Sequence, residues 1–349
     1  MTDAPPSGPP RIDRAFALVE RAVVAGRIPG AVLGVIAADG TRQIVHAGRA
    51  ATIPDPAPMR DDTVFDLASL TKPVFTAEAI LALVEEGAIA LDDPLTTLIP
   101  DLCQYHGGGW QRDVTFRDCL AHRTAFPNVH PVYTYGSDPA TLRAFVLQRD
   151  WRRGPAVYSD LNFILLGIAL ERHHGRPLRE MTPPPGFTFS PDPGACAATE
   201  ACAWRGRVLR GEVHDENAFA LRGAGHAGLF GTAGALLDFA ARVLDRPADH
   251  PVRTPVAGHE TQADRLTSGR AAPVTRTHGW ELRHDGWSGG DAAGEGAIGH
   301  TGFTGTGLWV DFAHGHAWTL LTNRVHPTRH AESGIVELRR AVGDALNDA

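Results

Sequence analysis

Phe65-Asp66-Leu67-Ala68-Ser69-Leu70-Thr71-Lys72 leads into an apolar run from Val74 to Gly87. Residues three apart on a helix share a face, so Ser69 and Lys72 project together. An amine beside a hydroxyl is the arrangement that turns a weak nucleophile into a strong one. Pro73 falls in the first turn, where a missing N–H leaves no intrahelical bond unmade. Ser-x-x-Lys is common by itself. Its weight comes from two later segments in the same chain, Tyr158-Ser159-Asp160 and His300-Thr301-Gly302.

Around this stretch, Ile12 to Ala25 reads as an amphipathic helix with Ile12, Phe16, Val19 and Val23 on one side. Ala31 to Ala37 reads as a buried strand, Asp39-Gly40 as a hairpin turn and Arg42 to Ala47 as the returning strand. From Leu91 to about Arg222 the pattern is helical, with Thr115–His122, Asp138–Gln148 and Leu161–His173 separated by Pro/Gly loops. A helix at Thr232–Leu244 and a loose polar stretch at Arg246–Arg276 follow. Strands then return at Gly279–Arg283, Thr306–Phe312 and Ala317–Thr322, before a last helix at Ala331–Leu346. Strands thus open and close the chain. The expected fold class is α+β: an antiparallel sheet flanked by helices, plus an inserted all-helical domain. The boundaries read as a disordered tail at 1–10, a sandwich domain from 11–95 and 228–349, and a helical domain at 96–227. A site is expected in the cleft between the two domains.

The chain has 349 residues, enough for about two domains. Its 33 basic and 40 acidic residues give a net charge of −7, and no basic stripe exists, so nucleic acid is an unsuitable partner. No run approaches the ~18 apolar residues that a membrane helix needs. Met1 to Pro10 lacks the positive start and apolar core of a secretory signal. Cys103, Cys119, Cys196 and Cys202 form no CxxC pair and read as free thiols, which together with the missing signal points to a cytoplasmic location. The 17 histidines are scattered without HExxH, so neither a metal nor another cofactor is expected.

Acyl transfer by a serine needs a hydroxyl, a base, a proton donor to the leaving group and donors for the oxyanion. Ser69 supplies the hydroxyl. Lys72 serves as base only when neutral, which requires burial or nearby positive charge. Tyr158 can relay a proton to or from the leaving group. His300 and Thr301 are expected just before an edge strand at Thr306–Phe312, and Gly302 leaves room there for substrate. The backbone N–H groups of Ser69 and Phe303 are the candidate oxyanion donors.

With these residues in view, the chain resembles the β-lactamase-related serine hydrolases: class C β-lactamases, low-molecular-weight penicillin-binding proteins and family VIII carboxylesterases. Phe65 to Pro94 resembles the family's nucleophile region, including its Leu91-Asp92-Asp93-Pro94 ending. Tyr158-Ser159-Asp160 resembles the Tyr-x-Asn segment, and His300-Thr301-Gly302 the Lys-Thr-Gly segment. The resemblance spans nearly the whole chain. It implies an αβα sandwich beside a helical domain, and a covalent acyl-enzyme mechanism without a metal. Gly211 to Ala218 and Gly225 to Phe230 resemble a subgroup that includes D-alanyl-D-alanine carboxypeptidase-like proteins, which places His214 and Asn217 at the rim of the site. The same 211–230 stretch also reads as a hydrogen-bonded loop that orders the cleft wall, and His122 reads as structural.

Two positions depart from the family pattern. Asp160 stands where Asn is usual; paired with Lys72 it would raise the lysine's pKa and make Tyr158 the better base. His300 carries less dependable positive charge than Lys, which weakens the case for a β-lactam as the natural substrate. The expected substrate is a small ester, amide or short peptide, cleaved as by an esterase, a β-lactamase or a D-alanyl peptidase; oligomeric state has no signature. Two rivals remain. Gly286-Trp287-Ser288-Gly289-Gly290 fits GxSxG, with His106-Gly107-Gly108-Gly109 as an oxyanion motif, but no apolar strand precedes Ser288 and no helix follows it. The other rival is a catalytically decayed protein that only binds ligand.

Overall fold

The computed structural model describes residues 12–256, 261–262 and 273–347. The expected tail at 1–10 and part of the polar stretch 246–276 lie outside them.

The two ends of the chain build one antiparallel sheet. Its strands are β1 (Gly30–Ala37), β2 (Arg42–Ala51), β3 (Ala57–Pro58), β4 (Glu281–Leu282), β5 (Ile298–Thr301), β6 (Gly307–Asp311) and β7 (His316–Thr322). They lie side by side in the order β4-β5-β6-β7-β1-β2-β3. The ends meet where β1 pairs with β7, Ala31 opposite Thr322 and Ala37 opposite His316. β1 is apolar throughout because both its faces are covered. Ala31, Leu33 and Val35 point into one core, formed with helices α1 (Ile12–Val24) and α5 (Ile335–Asn347). Val32 and Ile36 point into the other, shared with α2 (Glu78–Glu85), α3 (Asp160–His174) and α4 (Ala233–Leu244). On the α1/α5 face, Trp309 and Trp318 sit opposite each other across β6 and β7 and stack at 3.9 Å. α4 begins at Thr232, whose hydroxyl accepts the Ala235 N–H at 3.2 Å.

Two expectations are corrected. His300 and Thr301 do come before β6, but they end a strand of their own, β5, and β6 is an interior strand, not an edge. Local sequence hides β5 because Gly299 carries no side chain. Its place is taken by the indoles of Trp287 and Trp309, and a Cβ there would lie 2.4 Å from Trp309 Cδ1. The stretch expected to be all-helical also carries a short ribbon, Ala198–Cys202 paired with Arg207–Arg210. Its alanine-rich first strand lacks the β-branched run that marks strands from sequence. All four cysteines are free and buried. Among the described residues no helix is long and apolar enough to cross a membrane.

Candidate active site

Ser69 does not open a regular α-helix. It sits half-buried in a 3₁₀ turn, Ala68–Leu70, followed by a π-helical turn, Lys72–Ala77, which leads into α2. Wide turns of this kind recur at functional sites, and Pro73 lies within this one. Ala68 holds φ at 48°, a conformation that costs a non-glycine residue energy and persists only where the surroundings impose it. Those surroundings are visible. The buried carboxylate of Asp66 accepts the Ala68 N–H at 2.9 Å and the His214 N–H at 2.6 Å. Burial pushes the Asp66 carboxyl up, against the pull of these two donors. The Thr71 hydroxyl donates to the Ala68 carbonyl at 2.7 Å and accepts from Leu229 N–H at 3.1 Å.

Lys72 is fully buried, and its three donors are all engaged. Nζ lies 2.9 Å from Ser69 Oγ, 2.8 Å from Asp160 Oδ1 and 3.1 Å from the His226 carbonyl. Burial drives the Lys72 ammonium down, but the Asp160 carboxylate and the Tyr158 hydroxyl outweigh it and hold the group above the ordinary lysine value. An ammonium has no lone pair, so in this state Lys72 cannot take the serine proton. The neutral Lys72 envisaged from sequence is therefore not the resting form. Asp160, at the start of α3, forms the anticipated pair.

Tyr158 lies just before α3, with its ring centre 5.0 Å from Lys72 Nζ, and lines the same cleft as Ser69. Burial pushes its phenol up, Lys72 pulls it down and Asp160 pushes it up again, leaving it above the usual tyrosine value. The His122 ring packs on it at 4.3 Å, and the Arg276 guanidinium lies 5.2 Å from its ring centre. His122 is buried and accepts the Ser159 N–H at 3.1 Å, a packing position beneath the site.

The facing wall is the end of β5 and the turn after it. His300 Nδ1 donates to the Thr301 carbonyl at 3.0 Å, which leaves a lone pair on Nε2, buried and without a protein partner. Burial, then Lys72 and Arg276, hold His300 well below the usual histidine value, so it is neutral. Thr306 Oγ donates to the Leu67 carbonyl at 3.0 Å and Thr304 Oγ to the Asp66 carbonyl at 2.8 Å, fastening this turn to the Ser69 turn. Gly302 makes the approach possible: a Cβ there would lie 2.1 Å from Thr306 Oγ and 2.6 Å from the Leu67 carbonyl. Gly302→Ala is expected to lower stability by about 1–3 kcal/mol through this overlap. Turnover should fall with it as His300 and Thr301 move off Ser69. Urea denaturation and ester kinetics on the same sample check both, and an unchanged midpoint would show that the turn yields freely.

Ser69, Tyr158, Asp160, His214, His300, Thr301, Gly302 and Phe303 all line one cleft of about 930 Å³. His214 Nε2 lies 3.1 Å from Glu200, and its ring faces Phe303 at 5.7 Å. Asn217 does not join them. Its amide accepts from Tyr133 N–H at 3.1 Å and donates to the His130 carbonyl at 2.9 Å, so both ends hold backbone. Ser288 is elsewhere, buried on the α1/α5 side of the sheet, where it accepts the Trp309 indole N–H at 3.2 Å. Sequence reasoning gave no role to Asp66, the His226 carbonyl, Arg276 or Arg324. The motif Gly225 to Phe230 was the available signal for His226, and the 211–230 loop does order the cleft wall through Asp66, Thr71, Lys72 and the Thr76 hydroxyl, which donates to the Gly225 carbonyl at 2.6 Å. Among the described residues no cluster of His, Cys, Asp and Glu could hold a metal ion.

Comparison with known proteins agrees with this architecture. An N-acetylmuramyl-L-alanine amidase of Bacillus subtilis is 31% identical, with 88% of this chain and 80% of the relative covered. A putative D-alanyl-D-alanine carboxypeptidase of Escherichia coli is 28% identical, with 76% and 70% covered. Among solved structures, simvastatin synthase LovD of Aspergillus terreus superposes with a TM-score of 0.72 at 19% identity, covering 96% of this chain and 98% of that one. A class C β-lactamase of Rhodobacter sphaeroides gives 0.70 at 18% identity, covering 95% and 98%. These likenesses show the fold. The beta-lactamase family model matches residues 16–342, nearly the full length, and the chain belongs to the beta-lactamase family.

Proposed function

We propose that this beta-lactamase-family serine hydrolase cleaves a small ester or amide through an acyl intermediate on Ser69. The observation that carries the reading is the hydrogen-bonded chain Ser69–Lys72–Asp160, with the Tyr158 ring 5.0 Å from Lys72 Nζ, opening into the 930 Å³ cleft.

At rest the cluster holds one proton too many: Lys72 is an ammonium, Tyr158 a phenol and Asp160 a carboxylate. The reactive form is one proton short, with the negative charge on Tyr158 beside the Lys72 ammonium. Tyr158 then takes the Ser69 proton as Oγ attacks the substrate carbonyl carbon. The oxyanion is met by the Ser69 and Phe303 N–H groups; among the described residues the Phe303 N–H donates to no protein acceptor. Collapse breaks the bond to the leaving group, which takes the proton from Tyr158. Water repeats the sequence: Tyr158 accepts its proton, hydroxide adds to the acyl carbon, and Ser69 leaves reprotonated. Lys72 acts as a fixed positive charge throughout.

Neutral His300 offers no charge for a substrate carboxylate at its position, which favours simple esters and amides over β-lactams. The names of the curated relatives, which include an esterase EstB of Burkholderia gladioli, span ester and amide substrates. A panel of short nitrophenyl esters, nitrocefin and D-alanyl peptides tests the assignment. Turnover of the short esters, exceeding that of nitrocefin, is the expected result. No turnover of any member between pH 7 and 10 would overturn it.

A further inference from the structure

We propose that Asp66 is a positioning residue for the oxyanion site, a brace that holds the Ser69 N–H and the Phe303 N–H against the same substrate oxygen. This rests on the hydrolase reading above and adds the residue that sets the geometry of its transition state.

The two donors belong to distant parts of the chain, one to the 3₁₀ turn ahead of α2 and the other to the turn between β5 and β6. Asp66 is bonded to both turns. Its Oδ1 accepts the Ala68 N–H at 2.9 Å, one residue before Ser69, and its backbone carbonyl accepts the Thr304 hydroxyl at 2.8 Å, one residue after Phe303. Its Oδ2 accepts the His214 N–H at 2.6 Å, which seats the ring that faces Phe303 at 5.7 Å.

The Ser69 N–H is available because of this arrangement. In a regular 3₁₀ run it would close on the carbonyl three residues back, that of Asp66. Ala68, held at a φ of 48°, interrupts the run, and the Asp66 carbonyl takes the Thr304 hydroxyl instead. Among the described residues the Ser69 N–H and the Phe303 N–H both donate to no protein acceptor. The same residue therefore frees one donor and ties it to the segment that carries the other.

Stability gives little reason for a charge here. Asp66 is 2% exposed, and a buried carboxylate is costly without a counter-charge. Among the described residues no arginine or lysine pairs with it; both oxygens are spent on backbone N–H groups. An amide would be cheaper to bury, but its one oxygen could face only one of the two N–H groups, which bond to different oxygens of Asp66.

Transition-state and ground-state ligands separate alignment from general stability. Asp66→Asn should lower kcat/KM for 4-nitrophenyl butyrate about tenfold, less than the ~10²–10³ expected when an oxyanion donor is removed outright. Butylboronic acid, whose boron bonds to Ser69 Oγ and sets a hydroxyl where the oxyanion forms, should lose affinity by the same factor. 4-Nitrophenyl butyl ether has the shape of the ester but no carbonyl, and should bind variant and wild type equally. Thr304→Val cuts the other arm and should give the same pattern, and Thr304→Ser, which keeps the hydroxyl, should recover most of the loss. Rates are taken per mole of folded protein, below the denaturation midpoint of each variant. An unchanged kcat/KM in either folded variant, or equal losses of affinity for the boronic acid and the ether, would overturn the proposal. A Ser69→Ala protein that keeps ester turnover would sink the hydrolase reading instead.

Discussion

Replacing Ser69 with alanine is expected to lower ester turnover by at least roughly 10³-fold, the largest effect of any single change in this chain. The hydroxyl is the atom that bonds to the substrate, and nothing nearby can replace it. Among the described residues the second serine singled out from sequence, Ser288, is sealed against Trp309 on the opposite side of the sheet. The variant should fold normally. Lys72 would lose one acceptor at 2.9 Å but keep Asp160 and the His226 carbonyl, so its charge remains compensated. A wild-type denaturation midpoint with absent turnover is the expected combination, measured with 4-nitrophenyl esters. Ser288→Ala should retain activity in the same assay, and a loss confined to it would reverse the assignment.

Asp160→Asn is expected to do the opposite and raise activity at neutral pH. The sign follows from the charges. The Asp160 carboxylate raises both the Lys72 ammonium and the Tyr158 phenol. A raised value means that each proton is lost only at higher pH, so the reactive cluster, one proton short, is scarce near pH 7. In the wild type kcat/KM should therefore climb with pH through the alkaline range without a plateau below about pH 10, the ordinary tyrosine value. Asparagine keeps the size and one acceptor oxygen but removes the charge. Burial, which disfavours the ammonium, then acts on Lys72 with less opposition. The alkaline limb should shift to lower pH by about one unit, which is about a tenfold gain at pH 7. A pH profile of kcat/KM for both proteins measures this. A variant less active than wild type at every pH, with its limb unmoved, would mean that Asp160 serves to position Lys72 and not to hold its proton.

Much of this molecule is legible in its sequence. The opening helix and hairpin, the returning strands and the last helix are all periodic patterns, and periodicity reports burial directly. The sheet was readable as antiparallel because strands stand at both ends of the chain with helices between them. β5 was not readable, since its glycine serves two tryptophans from other elements. The site divides along the same line. Ser69 and Lys72 are local to each other, and Tyr158 and His300 are flagged by their neighbours in ordered motifs. Asp66 binds the His214 N–H 148 positions away, and Lys72 binds the His226 carbonyl 154 positions away. Contacts of that kind have no local pattern. Asn217 shows the converse: a polar residue beside a motif, committed in the fold to the backbone of another loop. The substitution of Asp for Asn at 160 was readable, as was its consequence for Lys72, because a carboxylate within reach of an ammonium has only one electrostatic sign.

The central claim is that Ser69 forms a covalent acyl bond. Wild-type protein treated with a fluorophosphonate and examined by intact-mass and peptide-mapping mass spectrometry should gain one phosphonyl group, on the peptide containing Ser69, faster at pH 9 than at pH 7. An adduct on another residue, or an unmodified protein like one that only holds its ligand, would contradict the account.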